Sequence, residues 1–400
     1  MGDGVMNFSF IGRVPLAASL CNRYLLAHSF SSSDSIKLEE FPHSSQQFYK
    51  QLQKIKGRER IVAPKEPHDI LMLLFRCLRE KATFYIEGLP EGFLESSLFR
   101  DTDIVLKQLG GRATLFPSKK ALEIEGFDWV LHGDGVFLHS RHSSMIASAL
   151  LLNTWNLAID IPLALPPRHQ DRIEFELSYH FIQKLGWNCS RTLNEFDIRK
   201  NQSADFSKLY LEPDMQVAYL IGSLAVLQGQ ATITNFPLES LQSSSFFPYI
   251  LEDLGGQVQI GEGQIHYKKA EILEPFEADL SMTEGMLEIT AALASQIPHG
   301  DSFIKEIDWS LNHVRSRWDK LLPVFEHFGC HILTLDNSVR IKGTGKLPVG
   351  EYVWNIDNDP ILLLVAVLLR RCGWNLNVRG FEKAQSQYER IWSVIGWGKD

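Results

Sequence analysis

The chain has 400 residues, which is too long for one ordinary hydrophobic core and predicts two domains, or three at most. Hydrophobic residues make up 44% and charged residues 22%, which is typical of a globular protein and excludes a disordered chain. The formal net charge of −8, with no basic stripe, argues against nucleic acid as a partner. The longest apolar run, 361–369, is far shorter than the ~20 residues that span a bilayer, so we expect no membrane segment.

The cysteines are scattered along the chain and form neither a CxxC pair nor a His/Cys cluster of zinc spacing. They are Cys21, Cys77, Cys189, Cys330 and Cys372. An odd, scattered set is typical of reduced core thiols rather than of a disulfide framework. We therefore predict a cytoplasmic protein that needs no metal and no cofactor.

Amphipathic segments that end in glycine recur six times along the chain. Before Gly255 and Gly329 the apolar positions keep helical spacing, and a β-rich stretch that predicts a hairpin follows each glycine (257–267 and 331–341). The segments end at Gly57, Gly110, Gly186, Gly255, Gly329 and Gly396. Self-similarity at a nearly constant spacing predicts a repeat architecture.

A second series of strongly apolar helices alternates with the first. Each is preceded by a polar residue that suits an N-cap, because its side-chain oxygen accepts a free N–H of the first turn. Asp359 is followed by Pro360, which suits the first helical position, and then by the long apolar run. Helices that are apolar nearly all round are buried. The predicted starts lie near Asn22, Asp69, Ser143, Asp214, Thr283–Glu284 and Asp359.

Several segments match known motifs in the right order. Residues 14–26 (VPLAASLCNRYLL) resemble P-G-S-K-S-x-S-N-R-x-L-L, and residues 143–151 (SSMIASALL) resemble S-S-Q-F-x-S-A-L-L. Residues 211–214 with the following Ala-containing helix are similar to D-x-S-S-A, and 308–317 lies where the pattern reads N-W-R-x-K-E-T-D-R. Over essentially its whole length the chain therefore resembles the enolpyruvyl transferases, most closely the 5-enolpyruvylshikimate-3-phosphate synthases.

This resemblance implies an α/β fold, a two-domain inside-out α/β barrel in which each domain contains three βαβαββ repeats. The implied domains are 16–211 on one side of a cleft, and 1–15 with 212–400 on the other. Buried helices would point their N-termini at the cleft, and each N-terminus carries roughly +0.5 charge. Such a cleft favours small anionic substrates, by resemblance phosphoenolpyruvate and a phosphorylated or carboxylated acceptor. We expect a monomer.

Several charged or polar residues of the family's site are absent at the matching positions. The motif Lys falls on Ala18, the Gln after the Ser pair on Met145, and the Glu of K-E-T-D-R on Val314. The catalytic Asp of the fifth repeat falls on Glu284 or, one residue earlier, on Thr283.

The resemblance assigns the remaining roles as follows. The catalytic candidates are Glu284 and Arg317, and the substrate-binding candidates are Ser19, Arg23, Ser143, Ser144 and Asp214. The candidates that would replace lost cations are His139, Arg141, His142 and Lys383. Structural roles stay open for these residues: Asp214 and the Ser pair suit helix caps, and Asp357 with Asp359 suits a loop carboxylate and a cap better than a metal site.

Two functions remain open. One is a divergent enolpyruvyl transferase, placed in the shikimate pathway by resemblance, whose activity is altered or impaired. The other is a catalytically inactive relative that binds an anionic ligand or a partner. Hydrogen bonds to charged groups contribute about 1.5–3 kcal/mol each, so the loss of several anion contacts predicts impaired chemistry.

Overall fold

The computed structural model describes residues 7–31, 36–139, 142–166, 172–281, 283, 285–344, 349–385, 391–392 and 395. The chain divides into two compact units. The central unit is Ala18–Leu211, and the terminal unit combines Met1–Ala17 with Glu212–Asp400.

The helices are α1 (Ala18–His28), α2 (His43–Gly57), α3 (Pro67–Leu78), α4 (Ser97–Gln108), α5 (Ser143–Leu151), α6 (Arg172–Lys184), α7 (Met215–Gln228), α8 (Phe247–Asp253), α9 (Leu287–Ala294), α10 (Asn312–His327), α11 (Pro360–Arg371) and α12 (Glu382–Gln385). The strands of the central unit are β2 (Ile61–Val62), β3 (Thr83–Glu87), β4 (Arg112–Phe116), β5 (Ala121–Glu125), β6 (Val136–Phe137), β7 (Ile161–Ala164), β8 (Cys189–Thr192) and β9 (Glu195–Ile198). Those of the terminal unit are β1 (Phe8–Gly12), β10 (Gly229–Ile233), β11 (Gln257–Gly261), β12 (Gln264–Lys268), β13 (Glu277–Asp279), β14 (Ser302–Lys305), β15 (His331–Thr334), β16 (Val339–Lys342), β17 (Tyr352–Asn355) and β18 (Leu376–Arg379).

Four sheets share one strand pattern. Their orders are β1-β10-β12-β11 and β13-β14-β16-β15 in the terminal unit, and β2-β3-β5-β4 and β6-β7-β9-β8 in the central unit. In each, the first two strands pair in parallel across a helix, and a hairpin then adds two antiparallel strands. Each of these sheets, with its two helices, completes one βαβαββ repeat.

The other two repeats are shorter in the described part of the chain. The terminal unit adds only the parallel pair β17-β18 around α11. The central unit begins with α1 and α2, which pack on each other without a described strand of their own. Gly57 is accordingly followed by the two-residue strand β2 and by α3, not by a hairpin.

The helices between the first two strands of each repeat are buried, as their apolar composition predicts. In α11 every residue from Ile361 to Leu369 is buried, and α7 is buried along nearly its whole length. These helices form the centre of each unit's core because a helix that is apolar all round excludes water on every side.

Some of the predicted helix starts agree with the structure. Asp214 and Asp359 cap α7 and α11, each accepting two backbone N–H bonds through its side chain. The predicted start near Asn22 is wrong, because α1 begins four residues earlier at Ala18. The residues before it are held extended: Leu16 forms a β-bridge with Pro213, and the Ala17 N–H donates to the Glu212 carbonyl at 3.0 Å.

Most of the predicted helix ends are confirmed. Gly110, Gly186, Gly255 and Gly329 each have a positive φ, which is the left-handed conformation that ends a helix and favours glycine. At Gly57 the left-handed residue is instead the next one, Arg58. Gly396 lies outside the described residues.

All five cysteines are free thiols, and three of them are buried. Within the described ranges, no helix is both long and apolar enough to cross a bilayer. The same ranges contain no group of three acidic, His or Cys side chains that could hold a metal ion.

Candidate functional site

Arg23, on α1 of the central unit, is fully buried and held on all sides. Its Nε donates to Ser178 Oγ at 2.8 Å, and one terminal nitrogen donates to the Ser19 carbonyl at 3.0 Å. The other terminal nitrogen forms an ion pair with Glu174. The positive charge of this guanidinium is therefore compensated within the central unit.

A series of polar side chains continues from this ion pair. His68 on α3 places Nδ1 3.3 Å from the Glu174 carboxylate and Nε2 2.7 Å from Ser148 Oγ, and Ser148 Oγ lies 2.5 Å from Ser178 Oγ. Burial lowers the pKa of His68 to about 4, although the Glu174 charge opposes this. The imidazole is therefore neutral at pH 7, where it has one donor and one acceptor nitrogen.

The pKa values of two carboxyl groups in this cluster are shifted in opposite directions. Burial raises the pKa of Asp69 to about 7, even though a hydrogen bond from Asn22 Nδ2, at 2.9 Å, lowers it. Burial is the largest single effect on Glu174 and raises its pKa, but the charge of Arg23, the electrostatic effect of His68 and the hydrogen bond from Arg23 together outweigh it and leave the pKa of Glu174 below its usual range. Glu174 is thus the ionised partner, while Asp69 is near its titration midpoint at neutral pH.

Helical spacing explains how these side chains meet. Ser19 and Arg23 are four residues apart on α1, and Glu174 and Ser178 are four apart on α6, so each pair shares one helix face. Helix α5, which carries Ser148, packs against α6 and α3. We call the set of Asn22, Arg23, His68, Asp69, Ser148, Glu174 and Ser178 the Arg23 cluster.

In the terminal unit, Arg317 is held in a similar way. Its Nε lies 2.7 Å from Asp359 Oδ2, while Asp359 Oδ1 accepts the N–H groups of Ile361 and Leu362 at the start of α11. One carboxylate therefore both caps a helix and pairs with the predicted catalytic arginine. Asp357 pairs separately with Lys320 at 2.7 Å, which agrees with the cap-and-loop interpretation of this Asp pair.

Glu288, in the first turn of α9, lies within electrostatic reach of that pair. It is 1% exposed, and among the described residues neither of its carboxylate oxygens has a hydrogen-bond partner. Burial raises its pKa, the charge of Arg317 opposes this, and that of Asp359 adds to it. The net effect of this environment is to shift the titration of the Glu288 carboxyl group to higher pH.

The other candidates lie at separate positions of the fold or outside the described residues. Ser19 is exposed, and its carbonyl accepts a hydrogen bond from Arg23. Ser143 and Ser144 are fully buried in the first turn of α5, whose N-cap position is His142, one residue before the expected Ser pair; the His142 side chain makes no cap hydrogen bond. Glu284 and Arg141 lie outside the described residues. His139 and Lys383 are exposed, and the backbone N–H of Lys383 donates to Asn358 Oδ1 at 2.8 Å.

The sequence analysis missed His68, Glu174, Ser148, Ser178 and Glu288. Glu288 carried a local signal, since it is the one charged residue in the apolar stretch MLEITAALA. Glu174 carried none, because a carboxylate on a half-exposed helix has the pattern of an ordinary surface residue.

A family model of EPSP synthase (3-phosphoshikimate 1-carboxyvinyltransferase) matches residues 104–357. The chain belongs to the EPSP synthase family. Curated 3-phosphoshikimate 1-carboxyvinyltransferases are similar to it: that of Clostridium acetobutylicum is 23% identical over 222 residues, or 55% of this chain and 50% of its own length. That of Buchnera aphidicola is 24% identical over 214 residues, or 52% and 49%. The match thus spans about half the length of these relatives.

Solved structures of the EPSP synthase family share the fold. EPSP synthase from Acinetobacter baumannii superposes with a TM-score of 0.74 at 12% identity, covering 98% of this chain and 96% of its own. The enolpyruvyl transferase NikO from Streptomyces tendae gives 0.65 at 13% identity, with the same coverage. These comparisons confirm the predicted enolpyruvyl transferase fold.

Proposed function

We propose that this protein transfers an enolpyruvyl group from phosphoenolpyruvate to a hydroxyl of an acceptor, with a substrate preference or rate that differs from those of its relatives. The family match over residues 104–357 carries this proposal. In this reaction the methylene of phosphoenolpyruvate is protonated and the acceptor hydroxyl adds to C2 as it loses its proton. Phosphate then leaves, and loss of a proton from the new methyl group restores the methylene. We further propose a cytoplasmic, monomeric protein whose two units form the domains of the family.

The proposed roles follow the family positions. Arg317 would bind an oxyanion of the substrate after Asp359 releases it, and Glu284 would move the proton. Ser19, Arg23, Ser143, Ser144 and Asp214 would contribute to substrate binding. Because Arg317 and Arg23 already have carboxylate partners in the free protein, anion binding must compete with an internal ion pair, which supports altered or impaired activity.

Phosphate release from phosphoenolpyruvate in the presence of shikimate 3-phosphate tests the proposal. We expect saturable release that Arg317→Ala lowers by about a hundredfold or more, since it removes a charged donor to the reacting group. Arg315→Ala is the matched control, because Arg315 lies on the same helix and is exposed. Equal loss in both variants, or saturable release that Arg317→Ala leaves intact, would contradict the assigned role.

The second candidate is a non-catalytic relative that binds a ligand. Ala18, Met145 and Val314 at three family positions favour it, together with the internal ion pairs. In that case no acceptor would give turnover, while a ligand that binds the folded protein would still raise its melting temperature.

A further inference from the structure

Glu174 is the carboxylate that pairs with the Arg23 guanidinium inside the Arg23 cluster. It lies in the first turn of α6, and its Oε1 contacts both the Arg23 guanidinium and His68. One carboxylate oxygen thus contacts both a guanidinium and an imidazole, two side-chain types that commonly bind acidic ligands. Any ligand oxyanion directed at Arg23 would have to take the place of this carboxylate.

The accessible side of the cluster is acidic rather than basic. The Arg23 side chain has no exposed surface, whereas the Glu174 side chain is 30% exposed and that of His68 12%. Asp69 is also partly exposed. Among the described side chains of the cluster, a ligand that approaches this side meets the Glu174 and Asp69 carboxyl groups and the neutral His68 before it meets Arg23, which disfavours a second anion.

The cluster also contains an acceptor that lacks a donor. Asn22 is 3% exposed, its Nδ2 donates to Asp69 Oδ2, and its Oδ1 has no hydrogen-bond partner among the described residues. A buried amide oxygen without a partner is costly, and only a donor satisfies it. A ligand hydroxyl supplies such a donor, whereas a carboxylate or phosphate dianion does not.

From these contacts we propose that Glu174 is a specificity-determining residue, which fills the anion position at Arg23 so that the cluster selects a hydroxyl-bearing acceptor with no acidic group at that end. The inference rests on the proposed function for the choice of a hydroxyl acceptor. It does not require turnover, because selection of this kind is a property of binding.

Binding measurements on the full chain test this. The probes are shikimate, which carries a carboxylate, and its methyl ester, which keeps the ring hydroxyls without the charge. We expect the wild type to bind the ester at least as tightly as shikimate. Glu174→Gln, which frees Arg23 without changing side-chain size, should reverse the preference by about tenfold or more, because shikimate then gains a charged hydrogen bond.

Glu176→Gln is the matched control. Glu176 lies on the same helix and pairs with a different arginine, Arg191, through two hydrogen bonds of 2.9 and 2.7 Å. This variant should keep the wild-type preference. Inorganic phosphate is the second probe: it should raise the melting temperature of Glu174→Gln by more than it raises that of the wild type or the control.

The following results would overturn the proposal. One is tighter binding of shikimate than of its ester by the wild type, which decides the matter even where Glu174→Gln does not fold. Another is an equal rise in melting temperature with phosphate for the wild type and for Glu174→Gln. A third is that Glu174→Gln neither binds shikimate more tightly nor is stabilised more by phosphate. A failure of phosphate release from phosphoenolpyruvate, with these preferences intact, would instead contradict only the enolpyruvyl transfer.

Discussion

Arg23 and Arg317 share one arrangement, in which an arginine at a position that resembles the family motif pairs with a carboxylate from another element of its own unit. Glu174 holds Arg23, and Asp359 holds Arg317. Removing one partner of a buried pair leaves an uncompensated charge and is strongly destabilising. Neutral variants of the same shape, such as the change of Glu to Gln, are therefore more informative than truncation at these positions.

Glu288 gives a pH prediction at the residue scale. Its pKa is raised in the folded protein, while in the unfolded chain it titrates near the ordinary value of about 4.3. Between these two pKa values the folded state binds more protons than the unfolded state, so the free energy of unfolding falls as the pH rises through this range. Above the folded-state pKa the full cost of burying the ionised carboxylate applies. Glu288→Gln removes this titration. We expect the variant to gain about 1–3 kcal/mol over the wild type at pH 8 and little at pH 4.

Urea unfolding of both proteins at the two pH values measures this difference. Glu262→Gln is the control, since Glu262 is exposed in the turn between β11 and β12. A stability difference between Glu288→Gln and the wild type that is the same at both pH values would contradict the assigned cause.

At the scale of single elements, Asp214 and Asp359 cap two buried helices of the terminal unit. Asp214 accepts the N–H groups of Gln216 and Val217 at the start of α7, at 3.0 and 3.1 Å. Asp359 makes the equivalent bonds to α11 and also pairs with Arg317. Loss of Asp359 should therefore cost more than the loss of a helix cap alone.

The corresponding prediction compares alanine and asparagine at both caps. Asp214→Ala should cost about 1 kcal/mol of stability, and Asp359→Ala should cost more because the half-buried Arg317 also loses its carboxylate partner. Asn keeps the cap oxygen, so Asp214→Asn should be close to the wild type, whereas Asp359→Asn should still lose part of the pair. Denaturant unfolding measures all four variants; equal costs at the two positions would show that the ion pair adds nothing.

At the scale of the whole molecule, the central unit is one uninterrupted segment inserted into the terminal unit. The terminal unit is continuous across the junction, since the Ala17 N–H reaches the Glu212 carbonyl and Leu16 pairs with Pro213. Each unit has buried helices and at least two complete four-stranded sheets of its own. A segment that contains its whole core can fold alone.

We predict that residues 18–211, expressed alone, unfold in one cooperative transition with mixed α/β secondary structure. Circular dichroism and thermal melting check this. The control is residues 58–211, which lacks α1 and α2 and so loses Asn22 and Arg23 from the buried cluster; this shorter segment should melt without cooperativity. A non-cooperative melt of 18–211 would show that its core depends on the rest of the chain.

The sequence by itself determined the features that depend on neighbours along the chain. Glycine at helix ends, Asp at two helix starts, apolar helices and hairpin turns all follow from backbone conformation and short-range hydrogen bonds, and their recurrence predicted a repeat architecture. The family fold was implied by the resemblance of several motifs to the enolpyruvyl transferases. Where the local pattern failed, as at the start of α1, a long-range β-bridge set the boundary.

Only the tertiary structure decided which charges meet. Glu174 is 151 residues from Arg23, and Asp359 is 42 residues from Arg317, so no spacing rule connects either pair. Burial and the pKa of a side chain likewise depend on what packs around it from distant segments, as for His68 and Glu288. The sequence shows which residue types occupy the family positions. Whether each of them is accessible to a ligand or forms an ion pair within the protein depends on the packing of helices that are far apart in sequence.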